Sequence, residues 1–437
     1  MGTLLRSRDD SDSIELMASA LAKDGGSPSL IAIGRYISIT MSLLTVPIIA
    51  RALGPDGRGV SATMIAVITI ATVFLGLGVP LVLRRRIAVG EPLRPVLGSG
   101  RAFAAITLLP AIALGLGTDA VLFSGVPLTD RIAFLIAMAM TPLSVSWAQD
   151  VSVLVATRQF RRMGILGVLQ SATMFAGIVL LWLTSSLTVA GVVYASTLGN
   201  LVAFTVGICW LRSGFGGFQL LRLVIREGWT LIGAQLADVG TRRLDQVIAL
   251  PLLGPVGAGL YSVAATISGL STPIAHATAA AMFNGMTGDT AATDGSGARS
   301  MRYGFALGTL LVIPLAVASY VGIPIVFGED FSDAILPTVM LCLAVPATIS
   351  TYCGATWMAA QKRGLRLTII QVVTLGILVV GFVVLGLMYS VTGAALGVSI
   401  ALFVSNGMVA HAIAGRVSDT LPRPRDVFPA IKTLIRS

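Results

Sequence analysis

Charge is what this sequence has least of. Of 437 residues, 11% are Asp, Glu, Lys or Arg while 55% are hydrophobic, and the mean hydropathy is +0.90. An ordinary soluble domain carries about 25% charged residues. A chain with less than half of that cannot coat a 45.2 kDa globule in water, which excludes a water-soluble enzyme. Disorder is excluded too, because disordered chains are polar and highly charged. Histidine and cysteine are nearly absent. His276 and His411 are isolated, and Cys209, Cys342 and Cys353 lie in apolar runs without a Cys-x-x-Cys. No His/Cys metal centre and no disulfide framework is expected. A phosphate-binding Walker A motif is missing, so the chain is not read as an ATPase. The first 28 residues are polar, with Asp9, Asp10, Asp12, Glu15 and Asp24, and do not read as a cleavable signal peptide.

What is present is long apolar runs. A spanning helix needs about 20 mostly apolar residues. Twelve stretches qualify: 29–50, 59–83, 102–122, 131–153, 163–184, 188–211, 228–250, 256–284, 303–327, 335–359, 366–388 and 391–414. The expectation is an all-α, polytopic membrane protein. Lys and Arg collect in the connections that face the cytoplasm. With the N-terminus inside, 24 of the 30 basic residues fall in inside segments, and Arg51, Arg58 and Arg131 fall outside. The remaining three, Arg35, Arg242 and Arg243, lie within spans. Both termini are therefore expected in the cytoplasm. The net charge of +10 becomes a statement about topology, and nucleic acid is not expected as a partner.

The chain also repeats itself. Residues 53–59 read Leu-Gly-Pro-Asp-Gly-Arg-Gly and residues 253–259 read Leu-Gly-Pro-Val-Gly-Ala-Gly, five of seven identical at an offset of 200. Thr188-Val-Ala-Gly191 is echoed by Ser390-Val-Thr-Gly393 at an offset of 202. The basic loop at Arg158-Gln-Phe-Arg-Arg162 is echoed at Gln361-Lys-Arg363. Six spans per repeat is an even number, so the halves keep one orientation, a parallel-repeat arrangement. The expected organisation is a cytoplasmic tail (1–28), a six-helix bundle (29–212), a basic interfacial linker (213–226), a second six-helix bundle (227–414) and a basic amphipathic tail (415–437).

A charge at the membrane centre costs about 2.5–3.5 kcal/mol on insertion scales and usually faces a cavity or a partner. Span 7 carries Asp238, Arg242 and Asp245 at i, i+4 and i+7, one helical face, with Arg243 beside them. One reading is a structural network of charges that neutralise each other. The other is a wet cavity whose arginines hold an anionic headgroup and whose carboxylate binds H⁺ or Na⁺. Arg35 in span 1 joins the candidate anion site, and Asp150, at the inner end of span 4, joins the candidate coupling carboxylates. Arg51 and Arg58 read as interfacial, and His276 as a buried histidine near the cavity.

The run Arg51-Ala-Leu-Gly-Pro-Asp-Gly-Arg-Gly59 resembles the loop signature after span 1 in polysaccharide flippases. Leu75-Gly-Leu-Gly78 followed by Arg84-Arg-Arg-Ile-Ala88 is similar to that family's end of span 2. Asp245 with Leu253-Gly-Pro-Val-Gly-Ala-Gly-Leu-Tyr-Ser-Val-Ala264 is similar to the start of its second half. The chain thus resembles Wzx-like polysaccharide and oligosaccharide flippases of the multidrug/oligosaccharidyl-lipid/polysaccharide (MOP) exporter superfamily. That resemblance implies two six-helix bundles around a central cavity in a bacterial cytoplasmic membrane. It implies alternating access that moves a polyprenyl-diphosphate-linked oligosaccharide between leaflets, with glycan-assembly enzymes as partners and no resident cofactor. It assigns the diphosphate to Arg35, Arg242 and Arg243 and the coupling ion, H⁺ or Na⁺, to Asp238, Asp245 or Asp150. Peptidoglycan-precursor flippases of this superfamily usually have fourteen spans, and twelve here favours another glycan. The rival readings are a drug exporter on the same architecture, which would favour an acidic cavity, and a membrane-embedded glycan polymerase or transferase, which would carry a large external loop. A major-facilitator carrier is disfavoured because residues 84–101 lack its Gly-x-x-x-Asp-Arg-x-Gly-Arg-Arg motif.

Overall fold

A computed structural model describes residues 28–212, 214, 216–282, 295–415 and 417–420, and every regular element among them is helical. The elements are α1 (Pro28–Gly76), α2 (Val79–Ala88), α3 (Leu93–Ile106), α4 (Leu108–Leu122), α5 (Leu128–Ala139), α6 (Thr141–Ala156), α7 (Phe160–Leu183), α8 (Val189–Leu211), α9 (Phe218–Ser268), α10 (Ser271–Met282), α11 (Ser296–Gly322), α12 (Ile335–Leu343), α13 (Val345–Ala360) and α14 (Gly364–Ala414). A π-turn (Ile323–Phe327) and a 3₁₀ turn (Glu329–Ala334) join α11 to α12.

Three of these helices are too long to be single spans. α1, α9 and α14 have 49, 51 and 51 residues, about 75 Å if straight, against a hydrocarbon core of about 30 Å. Each contains a non-helical hinge. In α1 it is Gly54 (φ 66°, ψ −176°) and in α9 it is Gly254 (φ 73°, ψ 176°). That region of backbone space is open essentially to glycine alone. The following Pro55 and Pro255 have φ fixed for a first helical position and no N–H to leave unsatisfied. Leu-Gly-Pro is therefore a stop, a hinge and a restart, which explains why the motif occurs once in each repeat. In α14 the hinge is Tyr389-Ser390. Gly393 lets the chain fold back there, since a Cβ on it would run into the Leu385 carbonyl oxygen.

Eight helical stretches are long and apolar enough to cross a membrane, nine when the pair bent by 43° at Met140 counts as one. With each hinged helix holding two, the described residues contain twelve spans, and this is an all-α polytopic membrane protein. Several boundaries differ from expectation. Span 3 starts at Leu93, not at 102. Residues 218–226, expected in an interfacial linker, are the first turns of α9. Most of the tail beyond 415 and the tail before 28 lie outside the described residues.

The repeat extends to backbone detail. The loop after span 4 ends α6 with Arg158 in the left-handed region (φ 57°), and the loop after span 10 ends α13 with Lys362 there (φ 56°). Gln159 N–H bonds to the Leu154 carbonyl and Arg158 N–H to that of Val155. Arg363 N–H bonds to Met358 and Lys362 N–H to Ala359 in the same pattern. Both are Schellman caps, related by an offset of 204. Met140 and Ala344 break their spans at the same offset, each followed two residues later by proline.

The chain divides into two compact units. One comprises the described part of Met1–Val46 with Ala71–Ile232, the other Pro47–Ile70 with the described part of Gly233–Ser437. The core of the first gathers Val79, Leu83, Leu97, Phe103, Leu154 and Leu166. In the second, the two glycine motifs meet. A Cβ on Gly59 would collide with the Pro255 carbonyl oxygen, and one on Gly259 with that of Pro55. This reciprocal contact brings backbone against backbone at the hinge ends of spans 2 and 8.

Candidate functional site

Three arginines gather in the second unit. Arg242 Nη2 donates to Asp238 Oδ1 at 2.7 Å, one helical turn away. Its Nη1 donates to the Tyr352 hydroxyl, and its guanidinium carbon lies 5.5 Å from that ring's centroid. His276 packs edge-on to Tyr352 with centroids 4.7 Å apart. Arg243, the next residue, donates to Gln246 Oε1 at 3.2 Å. Arg242 and Asp238 are 41% and 49% exposed, so this pair is open to its surroundings.

Asp245 does not complete that face. It is 6% exposed and turns to span 8, accepting the Tyr261 hydroxyl at 2.6 Å and the Gln246 N–H at 2.8 Å. Span 2 packs close by, since Thr63 Oγ1 donates to the Gln246 carbonyl at 3.1 Å. The helical spacing placed Asp238, Arg242 and Asp245 together. In the structure Asp238 and Arg242 pair, and Asp245 is engaged by a tyrosine and its own backbone.

Arg58 is one of two residues that sequence reasoning misplaced. Its place in a polar Gly-rich loop made it look interfacial. It is 7% exposed, its Nε lacks a hydrogen-bond partner among the described residues, and Arg243 is a charged neighbour. Span 2 restarts at Pro55, four residues earlier than a loop ending at 58 allows, and this draws Arg58 into the helix. Around the Arg58–Arg243 pair the nearby carboxylate, Asp245, is already engaged. The cluster therefore sets three guanidiniums against two carboxylates, with the Arg58 Nε unpartnered among the described residues.

The first unit holds a different pair. Arg101 Nη2 donates to Asp150 Oδ1 at 3.1 Å, with side chains 2% and 0% exposed. Arg101 was expected in a cytoplasmic loop, and the early start of α3 places it inside span 3 instead. Gln149 Nε2 donates to the Gly100 carbonyl at 3.0 Å. Asp150 Oδ2, Gln149 Oε1 and Arg101 Nε and Nη1 are buried without a hydrogen-bond partner among the described residues. Glycine makes room for them: a Cβ on Gly207 of α8 would stand 2.5 Å from Asp150 Oδ2, and one on Gly100 2.8 Å from Gln149 Oε1. At the end of α2, Arg86 clamps Glu227 at 2.6 Å and Glu91 at 3.0 Å. Arg35 lies on α1, and its side chain is outside the described residues. No group of three His, Cys, Asp or Glu among the described residues is arranged to hold a metal.

A family model described as polysaccharide biosynthesis protein matches residues 27–283, more than half of the chain. No curated protein sequence matches. Among solved structures, a lipid II flippase MurJ in an inward closed conformation superposes with a TM-score of 0.70 at 14% identity, covering 93% of this chain and 92% of that one. A MATE transporter from Vibrio cholerae gives 0.60 at 15% identity over 93% of this chain and 99% of that chain. A MOP superfamily transporter from Pyrococcus furiosus, described as having reversed binding-pocket polarity, gives 0.53 at 13% over 95% and 98%. These likenesses establish a shared fold, and the solved relatives are a flippase and transporters, not enzymes.

Proposed function

The chain belongs to the polysaccharide biosynthesis protein family, and from that premise we propose that it flips a polyprenyl-diphosphate-linked oligosaccharide across a bacterial cytoplasmic membrane by alternating access. The observation that carries the reading is the surplus of guanidinium in the second unit. Arg58, Arg242 and Arg243 stand there with Asp238 and Asp245, and Asp245 is taken up by Tyr261 and the Gln246 N–H. A guanidinium fork matches phosphate oxygens bidentately. A diphosphate brings the negative charge this cluster lacks, and the prenyl tail stays in lipid. A drug exporter of cations would need the opposite sign. By the family resemblance, Arg35 in span 1 is assigned to the headgroup as well.

The distribution of Lys and Arg supports both termini in the cytoplasm, and with that orientation the Gly54 and Gly254 hinges face outward. Coupling to H⁺ or Na⁺ is assigned to Asp150, Asp238 or Asp245. Glycan-assembly enzymes are the expected partners on either side of the step. The test is a flipping assay in proteoliposomes with a fluorescent short-chain polyprenyl diphosphate. Arg242→Gln with Arg243→Gln should abolish flipping while the protein stays folded. Undiminished flipping would refute the headgroup assignment.

A further inference from the structure

The internal repeat supplies a control for the buried pair Arg101–Asp150. At the offset of 204 that relates the loops after spans 4 and 10, Gly100 corresponds to Gly304, Arg101 to Phe305, Gln149 to Cys353 and Asp150 to Gly354. The packing corresponds as well. Gly100 faces the Gln149 side chain, and a Cβ on Gly304 would stand 3.1 Å from Cys353 Sγ. At the offset of 202 that relates spans 6 and 12, Gly207 corresponds to Val409. In the first half the carboxylate of Asp150 fills the space over Gly207. In the second, Val409 fills the space over Gly354, with a Cβ there only 2.5 Å from Val409 Cγ1. Large and small have changed places, and the ion pair has become apolar packing. The same three-span junction is thus built once with Arg and Asp and once without. A buried pair is seldom more stable than well-packed apolar residues in its place, so folding does not account for Arg101 and Asp150.

The pair is also left incomplete. Two acceptors, Asp150 Oδ2 and Gln149 Oε1, and two donors, Arg101 Nε and Nη1, are buried and unmatched among the described residues, a costly arrangement to keep. Arg101 is the charged group that meets Asp150. Other charges on the elements packed against α6 are engaged or exposed elsewhere. On α2 and α3, Arg84, Arg85 and Arg94 are exposed, and Arg86 is held by Glu227 and Glu91. Asp119 is held by Arg131 and Asp130 by the Ala190 N–H. On α7, Arg161 is exposed and Arg162 bonds Gln159.

We propose that Arg101 and Asp150 form a proton site that gates the contact between spans 3 and 4, a role resting on the transporter reading above. A proton taken onto a carboxylate oxygen of Asp150 converts the ion pair into a neutral acid and a guanidinium with no counter-charge. A buried unpaired arginine is unstable, so proton uptake drives the junction to open and hydrate. Proton loss restores the pair and closes it. The cognate junction at Phe305 and Gly354 has no such switch.

The test uses the full chain in nanodiscs and infrared difference spectra taken as the pH is lowered. A protonated-carboxyl band should appear, vanish in Asp150→Asn and persist in Asp238→Asn. The triple variant Arg101→Phe, Asp150→Gly, Gly207→Val copies the second half's packing. It should fold with an unchanged or raised Tm, lack the band, and flip the fluorescent polyprenyl diphosphate at a rate that no longer depends on pH. If Asp150→Asn does not fold, the triple variant carries the test, because it removes both charges. Retention of the whole band in Asp150→Asn overturns the proposal. So does failure of the triple variant to fold, which would make the pair a folding requirement. Flipping that survives Arg242→Gln with Arg243→Gln would refute the headgroup reading instead and leave the infrared result standing.

Discussion

Of the three arginine–aspartate pairs among the described residues, two stand on opposite terms with their surroundings. Arg101–Asp150 is shut in, at 2% and 0% exposure, with unmatched donors and acceptors around it. Arg242–Asp238 is 41% and 49% exposed, spaced one helical turn apart and leaning on Tyr352. The first pair answers chiefly to itself, because low dielectric magnifies both its attraction and the cost of losing a partner. The second is weak as a pair and therefore available to a stronger anion. Identical residue types thus suit a switch in one place and a binding surface in the other, and burial decides which.

The comparison can be broken most sharply at the dry pair. Arg101→Met leaves a buried carboxylate alone and should cost about 3–5 kcal/mol, read as a large fall in Tm. Asp238→Asn on the open pair should cost at most about 1 kcal/mol, and equal losses at the two sites would erase the distinction drawn here. Next in size is the reciprocal glycine contact. Gly259→Ala pushes a methyl into the Pro55 carbonyl and should cost about 1–3 kcal/mol, whereas Gly233→Ala, with open space around it, should be neutral or slightly stabilising. Arg58→Gln removes a charge-assisted contact worth about 1.5–3 kcal/mol. It should weaken pyrophosphate binding about tenfold or more by calorimetry without lowering Tm, because the Arg58 Nε has no hydrogen-bond partner among the described residues to lose. Smallest is Glu227→Gln at the half-exposed clamp on Arg86, where a change of about 0–1 kcal/mol is expected.

Much of the architecture could be read from the sequence, because hydropathy, the Lys/Arg distribution and turn chemistry are local signals. The Leu-Gly-Pro hinges and the basic loop that ends each fourth span repeat in sequence and recur in backbone geometry. Arg58 and Arg101 were misread for one shared reason. Hydropathy windows end a span at the first arginine, yet both helices run through theirs. A window cannot know that Asp150 waits across the junction for Arg101, nor that Gly207 leaves room for the carboxylate. The partition of span 7 was missed in the same way. Helical spacing put Asp245 on the face of Arg242, while Tyr261, sixteen residues further on and beyond the Gly254 hinge, draws it into the packing. Contacts between elements distant in sequence decided each case.

The central claim is that Arg242 and Arg243 serve transport and are dispensable for folding. The most direct test measures Tm and the flipping rate together for the variant Arg242→Gln, Arg243→Gln in proteoliposomes. The prediction is a Tm close to that of the wild type with flipping lost. A variant that flips normally, or one that loses flipping only because it no longer folds, would contradict it.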